Sequence, residues 1–168
     1  MLKTKFNHIG NLVKRFKDLH KSTMQIGYFP ENGIHPSGLS FSGLFAIQSF
    51  GAPSVGIVPR PVLDLEFSTY SPLSKNIILK TQLKKYLSNI KSKTPKLSVT
   101  LMLSTVAGDY VMKTRDSFGD TSKLADNTEF TQFLKNQDGV KPNNPLIWHG
   151  TLRSNLSYKI NGETVVTP

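Results

Sequence analysis

The sequence predicts an α+β domain whose sheet is mainly antiparallel and is packed by an N-terminal helix and a central helix. Apolar residues recur at spacings of three and four over residues 3–22 and 72–92, which is the period of an amphipathic helix. In three other segments apolar and polar residues alternate, which is typical of half-buried strands. A short turn joins one of these strands to the next segment, so a β-hairpin is expected there.

Length and composition favour one domain spanning residues 1–168. A chain of 168 residues buries roughly 70% of its unfolded surface in a single core. The chain has no cysteine, which excludes a disulfide scaffold. No apolar run approaches the roughly 20 residues that span a bilayer, and the basic N-terminus lacks the apolar core of a signal peptide. We therefore expect a soluble intracellular protein with no membrane partner.

The basic residues are unevenly distributed along a chain of net charge +10. Thirteen of the 21 lysines and arginines lie in two segments, 3–21 and 75–96. Clusters of this kind contact nucleic acid, contact an acidic protein, or face solvent only. The sequence leaves these three alternatives open.

The N-terminal helix is predicted from an apolar stripe that runs from Phe6 to Leu19, with lysines on the other face. A strand over 24–29 and a proline- and glycine-rich loop over 30–40 follow. The apolar pattern then resumes as a short helix that is capped at Gly51.

Two prolines flank a single arginine in Pro59-Arg60-Pro61. Proline restricts the backbone, so this segment presents the arginine side chain at little entropic cost. Such an arginine suits bidentate binding of a carboxylate or a phosphate. The alternative is a rigid turn whose arginine packs within its own subunit.

The second half of the chain contains the central helix, an alternating segment and a closing stretch. The alternation over 97–104 and the turn at 107–109 predict a hairpin inserted at about 97–115. A last helix is expected between Leu124 and the break at Asp138-Gly139. Beyond the bend at Gly150, apolar residues on alternate positions predict a strand over 152–160.

The closing stretch, residues 145–158, resembles the signature that ends the virion-morphogenesis proteins of tailed bacteriophages, which are tail-completion and neck proteins. Earlier segments resemble other motifs of that family in the same order: Ile26-Gly27, the helix that ends at Gly51, Pro59-Arg60-Pro61, and Leu124 with Thr128 and Gly139. His149, Ser49 and Val62 depart from the family pattern. The motif and interface residues that the resemblance implies are Gly27, Gly51, Pro59, Arg60, Pro61, Pro145, Leu146, Gly150, Leu152, Arg153 and Ser154.

The resemblance implies a structural virion protein at the head–tail junction, made in the host cytoplasm. Proteins of this family form a ring of identical copies around the DNA channel. The implied partners are other copies of the chain, other neck and tail proteins such as a head-completion protein, a tail terminator or a tail tube, and the packaged DNA. The candidate DNA-facing residues are Lys75, Lys80, Lys84, Lys85, Lys91 and Lys93.

No pattern in the sequence predicts catalysis, a cofactor or a metal. The four histidines share no ligand spacing, and neither a nucleophile elbow nor a phosphate-binding loop occurs. Asp64 and Glu66 form a weak acidic pair that favours a surface role. The alternative to a virion protein is a non-specific nucleic-acid-binding protein that uses the two basic segments.

Overall fold

The computed structural model describes residues 2–70, 76–88, 92 and 96–165, and it is mostly helical with a small sheet. The helices are α1 (Leu2–Lys21), α2 (Phe41–Phe50), α3 (Val62–Tyr70), α4 (Ile77–Leu87), α5 (Val99–Ser117), α6 (Glu129–Gln137) and the single turn α7 (Thr151–Ser154). The strands β1 (Met24–Gly27), β2 (Ser157–Ile160) and β3 (Glu163–Val165) form an antiparallel sheet in the order β1-β2-β3. The mixed helix and strand character is confirmed, but the sheet is not the main element.

The predicted hairpin at 97–115 is wrong, because residues 99–117 form the long helix α5. Ser98 begins the helix by accepting a hydrogen bond from the Leu101 amide. The alternation that indicated a strand covers only a few residues, whereas the helical period continues to the end of α5. The buried residues of the helix are Met102, Val106, Ala107, Tyr110, Val111, Thr114 and Ser117.

The sequence predicted that the N-terminal and central helices pack against the sheet, but α5 occupies that position. It packs against α3 and α4 and also against β1 and β2. The N-terminal helix α1 is instead attached to the C-terminal end of α4. Arg15 of α1 donates to the Tyr86 carbonyl at 3.0 Å and to the Ser88 carbonyl at 2.6 Å. The sheet is therefore covered mainly by α5.

The closing stretch forms one helical turn and then a strand, so the strand predicted over 152–160 begins only at Ser157. Leu152 and Leu156 are buried as the alternation indicated. Tyr28 donates from its hydroxyl to the Leu152 carbonyl at 2.8 Å, and Arg115 of α5 donates to the Leu156 carbonyl at 3.0 Å. These bonds attach the closing stretch to the core.

Several other boundaries agree with the sequence. The structure confirms α1, β1 and α2, and α2 begins at the cap Ser40 and ends before Gly51. The helix α6 begins after the cap Thr128, later than the start at Leu124 that the sequence predicted, and it ends at Gln137, just before the break at Asp138-Gly139 as expected. The central helix is α4, and the remainder of the predicted 72–92 range lies partly outside the described residues. The helix α3 was not predicted.

Candidate functional site

A cleft of about 590 Å³ opens between α2, the turn at 55–60, α6 and the segment 146–152. We call it the motif cleft, because four of the motif segments named in the sequence analysis border it. Its lining is mainly apolar, as is common for sites that bind ligands or partner segments. Apolar residues on its walls include Leu44, Val55, Ile57, Val58, Phe130, Leu146, Ile147, Trp148 and Leu152.

Arg60 lies at the base of the motif cleft and is only 6% exposed. Its Nε donates to the Ala125 carbonyl at 2.8 Å, and its Nη2 donates to the Asp126 carbonyl at 2.6 Å. Burial lowers the pKa of this guanidinium, and the nearby Asp126 carboxylate partly opposes that shift. Arg60 therefore packs within its own subunit, and the alternative interpretation of Pro59-Arg60-Pro61 is confirmed. Its donors hold the segment before α6 against the proline turn.

Lys135 is a second buried cation at the cleft, with 3% of its surface exposed. Its ammonium group donates to the Asn144 carbonyl at 2.7 Å and to the Ile147 carbonyl. Burial lowers the pKa of Lys135 to about 8, and the positive charge of Arg60 acts in the same direction. Lys135 is not among the residues expected from the sequence, because nothing in its local pattern separates it from a surface lysine.

Exposed aromatic residues and carboxylates form the rim on the α6 side of the cleft. Phe130 is 70% exposed and Phe133 is 58% exposed. The Trp148 indole donates to the Asp138 carboxylate at 2.9 Å, which orients the ring at the edge of the cleft. Asp126 and Glu129 are exposed beside Asn127 and Thr128 of the lining.

Gly51 is required by a close approach of two backbone segments. Its φ is +76°, and a Cβ at this position would lie 2.8 Å from the carbonyl oxygen of Ile57. Gly150 has a φ of +82° but faces open space. Leu146 has a φ of +63° without being a glycine, so the closing segment contains a strained residue at the cleft wall.

The structure brings some of the motif residues together and separates others. Arg60, Leu146, Gly150 and Leu152 border the motif cleft. Gly27 lies in β1 opposite Ser157 of β2. The remaining motif residues serve local packing or face solvent: Pro145 is buried, Pro59 is exposed, Pro61 is half-buried, Arg153 donates to the Arg115 carbonyl, and Ser154 donates to the Thr151 carbonyl.

The basic segment 75–96 is only partly described. Lys80, Lys84 and Lys85 lie on α4 and are exposed, whereas Lys75, Lys91 and Lys93 lie outside the described residues. The exposure of these three lysines is compatible with phosphate contacts and with solvent alike.

Asp64 and Glu66, the acidic pair singled out in the sequence, lie in the part of the chain that the structure describes. No three histidine or carboxylate side chains there could hold a metal ion. Glu66, one half of the acidic pair, is buried and bonded to Lys123 at 2.8 Å and to the Ser117 hydroxyl. Asp64 is exposed on the same helix. The pair therefore divides into a packed ion pair and a surface carboxylate.

Comparison of this chain with protein-family models, with curated proteins and with solved structures finds no match. Within the described residues, no helix combines the length and the apolar character needed to cross a bilayer. The geometry of the motif cleft and the distribution of charge therefore carry the functional argument.

Proposed function

We propose that this protein is a structural component of a tailed-phage head–tail connector, a neck or tail-completion protein that forms a ring around the DNA channel. The observation that carries the proposal is the convergence of motif segments. The turn that contains Arg60 and the closing segment that contains Leu146 and Gly150 are far apart in sequence, yet both border one cleft. Four motifs in family order that build a common surface favour a shared origin over chance matches.

The exposed apolar surface supports an assembly role. Val55, Phe130 and Phe133 are each more than half exposed near the cleft. Ile77 on α4 and Leu101 on α5 are also more than half exposed. Exposed apolar side chains grouped around a cleft are typical of a surface that a partner covers. A closed ring requires two different patches that meet between neighbouring copies. The chain offers apolar surface on more than one side for this purpose.

The test of the proposal is the removal of the protein from phage particles. Particles lacking it should appear in negative stain as separate heads and tails, and adding the purified protein should restore joining. The isolated protein should stay monomeric or loosely associated at micromolar concentration, because a junction protein that polymerised early would block assembly. Intact virions without this protein would contradict the proposal, and so would stable rings formed in the absence of any partner.

A non-specific nucleic-acid-binding protein is the second candidate, favoured by the net charge of +10 and by the exposed lysines of α4. It predicts that the isolated monomer binds duplex DNA with an affinity that falls steeply as salt increases. Strong binding by the monomer, together with its absence from purified virions, would favour this candidate over the connector.

A further inference from the structure

The helix α1 packs against the rest of its own chain with only part of its apolar stripe. Arg15 on its inner side is 2% exposed and donates to carbonyls at the end of α4, and the Tyr86 hydroxyl donates back to the Arg15 carbonyl at 2.9 Å. On the outer side, Ile9 is 60% exposed, Val13 is 45% exposed and Phe16 is 50% exposed. We call these three residues the α1 stripe. It remains uncovered in the single chain.

A row of cations runs beside the α1 stripe. Lys14, Lys17 and Lys21 are exposed, and a helical period of 3.6 residues places them along the edge next to Val13. The outer surface of α1 therefore combines an apolar stripe with a basic flank. A surface of this kind fits an apolar groove with an acidic rim.

The motif cleft has that complementary character. Residues 116–138 contain five of the chain's 11 acidic residues, and Asp126, Glu129 and Asp138 among them are exposed next to the cleft lining. Of the two lysines of the same segment, Lys123 pairs with Glu66, and Lys135 is a buried cation whose ammonium group donates to two carbonyls, so the exposed charges of the rim are carboxylates. On a chain of net charge +10, this rim is a local concentration of negative charge.

We infer that α1 of one copy places the α1 stripe in the motif cleft of a second copy. The spacing of Ile9, Val13 and Phe16 at i, i+4 and i+7 is the pattern by which a helix anchors in an apolar groove. The lysines beside the stripe then face the carboxylates of the cleft rim, which fixes the direction of the helix. The contact is heterologous, because α1 and the cleft are different surfaces of the same chain.

The strength of this contact agrees with a protein that assembles only on a partner. Three side chains bury far less surface than the roughly 1,200–2,000 Å² of a stable protein–protein interface. A single contact is therefore weak in solution, and neighbouring contacts in a ring strengthen it by raising the effective concentration. Ring closure through this contact rests on the proposed function, whereas the pairwise contact does not.

Cross-linking between two singly substituted chains tests the inference, because the chain has no cysteine of its own. One chain carries His20→Cys, one turn beyond Phe16 on the exposed side of α1, and the other carries Thr131→Cys in the cleft lining. The full-length proteins are mixed at high concentration and treated with a short bismaleimide. The mixed dimer should form several-fold more than in a control mixture in which Met112→Cys replaces Thr131→Cys. Met112 is 64% exposed on α5 and is not part of the cleft lining.

Charge exchange provides the second arm. Adding Lys14→Glu and Lys17→Glu to the α1 partner should reduce the mixed dimer several-fold, and adding Asp126→Lys and Glu129→Lys to the cleft partner should restore it. Restoration requires that the two sets of charges face each other, so a general loss of folding cannot imitate it. Circular dichroism of each variant checks that the helices remain intact.

Three results would overturn the inference. Mixed dimers no more abundant than in the Met112→Cys control would show that the cleft does not receive α1. Dimers of the His20→Cys chain with itself would assign α1 to a helix–helix pair. Cosedimentation of the protein with anionic vesicles, abolished by Val13→Asp and without cross-linking to the cleft, would assign the stripe to a lipid surface.

The outcomes separate this inference from the proposed function. If rings form on phage particles but the α1–cleft cross-link does not form, the connector proposal stands and the contact between α1 and the cleft is rejected. The cross-link in solution, together with virions that assemble without the protein, would support the contact and reject the connector.

Discussion

Arg60 and Lys135 are buried cations that donate to main-chain carbonyls around the motif cleft. Arg60 bonds carbonyls 65 and 66 residues away in the segment before α6, whereas Lys135 of α6 bonds carbonyls 9 and 12 residues further along the chain. Hydrogen bonds from a charged donor contribute roughly 1.5–3 kcal/mol each, more than neutral ones. The shape of the cleft therefore depends on these two side chains.

Lys135 should make the stability of the protein depend on alkaline pH. Its folded pKa of about 8 lies below the ordinary value of 10.5, so between these values the unfolded chain binds a proton that the folded chain does not. The free energy of unfolding should therefore gain a rising component from about pH 8 to 10.5. We expect about 2 kcal/mol, because water in the cleft screens part of the burial cost.

The measurement for Lys135 compares urea denaturation of the wild type and of Lys135→Met across this pH range. The difference in unfolding free energy should change in favour of the wild type as pH rises. Lys141→Met, at an exposed lysine, is the matched control and should follow the wild type. Parallel curves for Lys135→Met and the wild type would contradict the assignment.

Gly51 and Gly150 illustrate two reasons for a glycine, a positive φ and a close approach of the backbone. Both have a positive φ, but only at Gly51 would a Cβ collide with backbone, at 2.8 Å from the Ile57 oxygen. Gly150→Ala should cost about 1 kcal/mol from its left-handed conformation. Gly51→Ala should cost about 2 to 4 kcal/mol, since its φ of 76° and ψ of 173° lie in a region that only glycine adopts readily, and a backbone shift is added to that strain. Thermal and urea denaturation measure both, and equal costs would show that the turn at 52–57 yields without penalty.

At the scale of the element, α5 is the helix around which the others are arranged. It contacts α3, α4 and two strands, and the residues that it buries form one continuous face. A helix that packs against several other elements keeps its conformation even where its first residues favour a strand. The N-terminal end of α5 therefore depends on packing more than on local propensity.

Adjacent residues at this end of α5 test the helix against the strand. Met102 is 1% exposed and Leu101 is 57% exposed. Met102→Ala should cost about 2 to 5 kcal/mol, and Leu101→Ala should cost less than about 1 kcal/mol. A strand would bury Leu101 and expose Met102, so the reverse order of costs in denaturant titrations would restore the hairpin prediction.

At the scale of the whole molecule, the two basic segments have different surroundings. The cations of α1 flank an apolar stripe, whereas Lys84 and Lys85 of α4 are exposed without exposed acids on the same helix. If copies form a ring around DNA, positive walls lower the cost of confining the polyanion. In such a ring, we expect the α4 lysines to face the lumen and the α1 lysines to face the neighbouring copy.

Reversal of charge on α4 should reveal this division. Particles that carry Lys84→Glu and Lys85→Glu should assemble but retain less DNA or lose infectivity, while the melting temperature of the protein stays close to that of the wild type. Lys14→Glu with Lys17→Glu should instead impair assembly of the ring. If particles with the α4 reversal keep their DNA while particles with the α1 reversal lose it, the assignment of the two basic segments is inverted.

The amino-acid sequence determined the elements whose signals are local. The amphipathic period predicts α1, and Gly51 marks the end of α2. The order of the motifs is also readable without a structure. These features follow from neighbours within a few residues, so no knowledge of the fold is needed to infer them.

Only the tertiary structure decided which surfaces are buried and which groups are paired. The alternation that begins at Leu97 fits a strand, yet contacts with distant segments make it a helix. Arg60 bonds a carbonyl that is distant in sequence, and Lys135 bonds a carbonyl at the end of the loop that follows α6. The helix α1 buries an arginine while part of its apolar stripe stays exposed. Burial and pairing depend on segments that meet only on folding, and a local pattern carries no information about which segments meet.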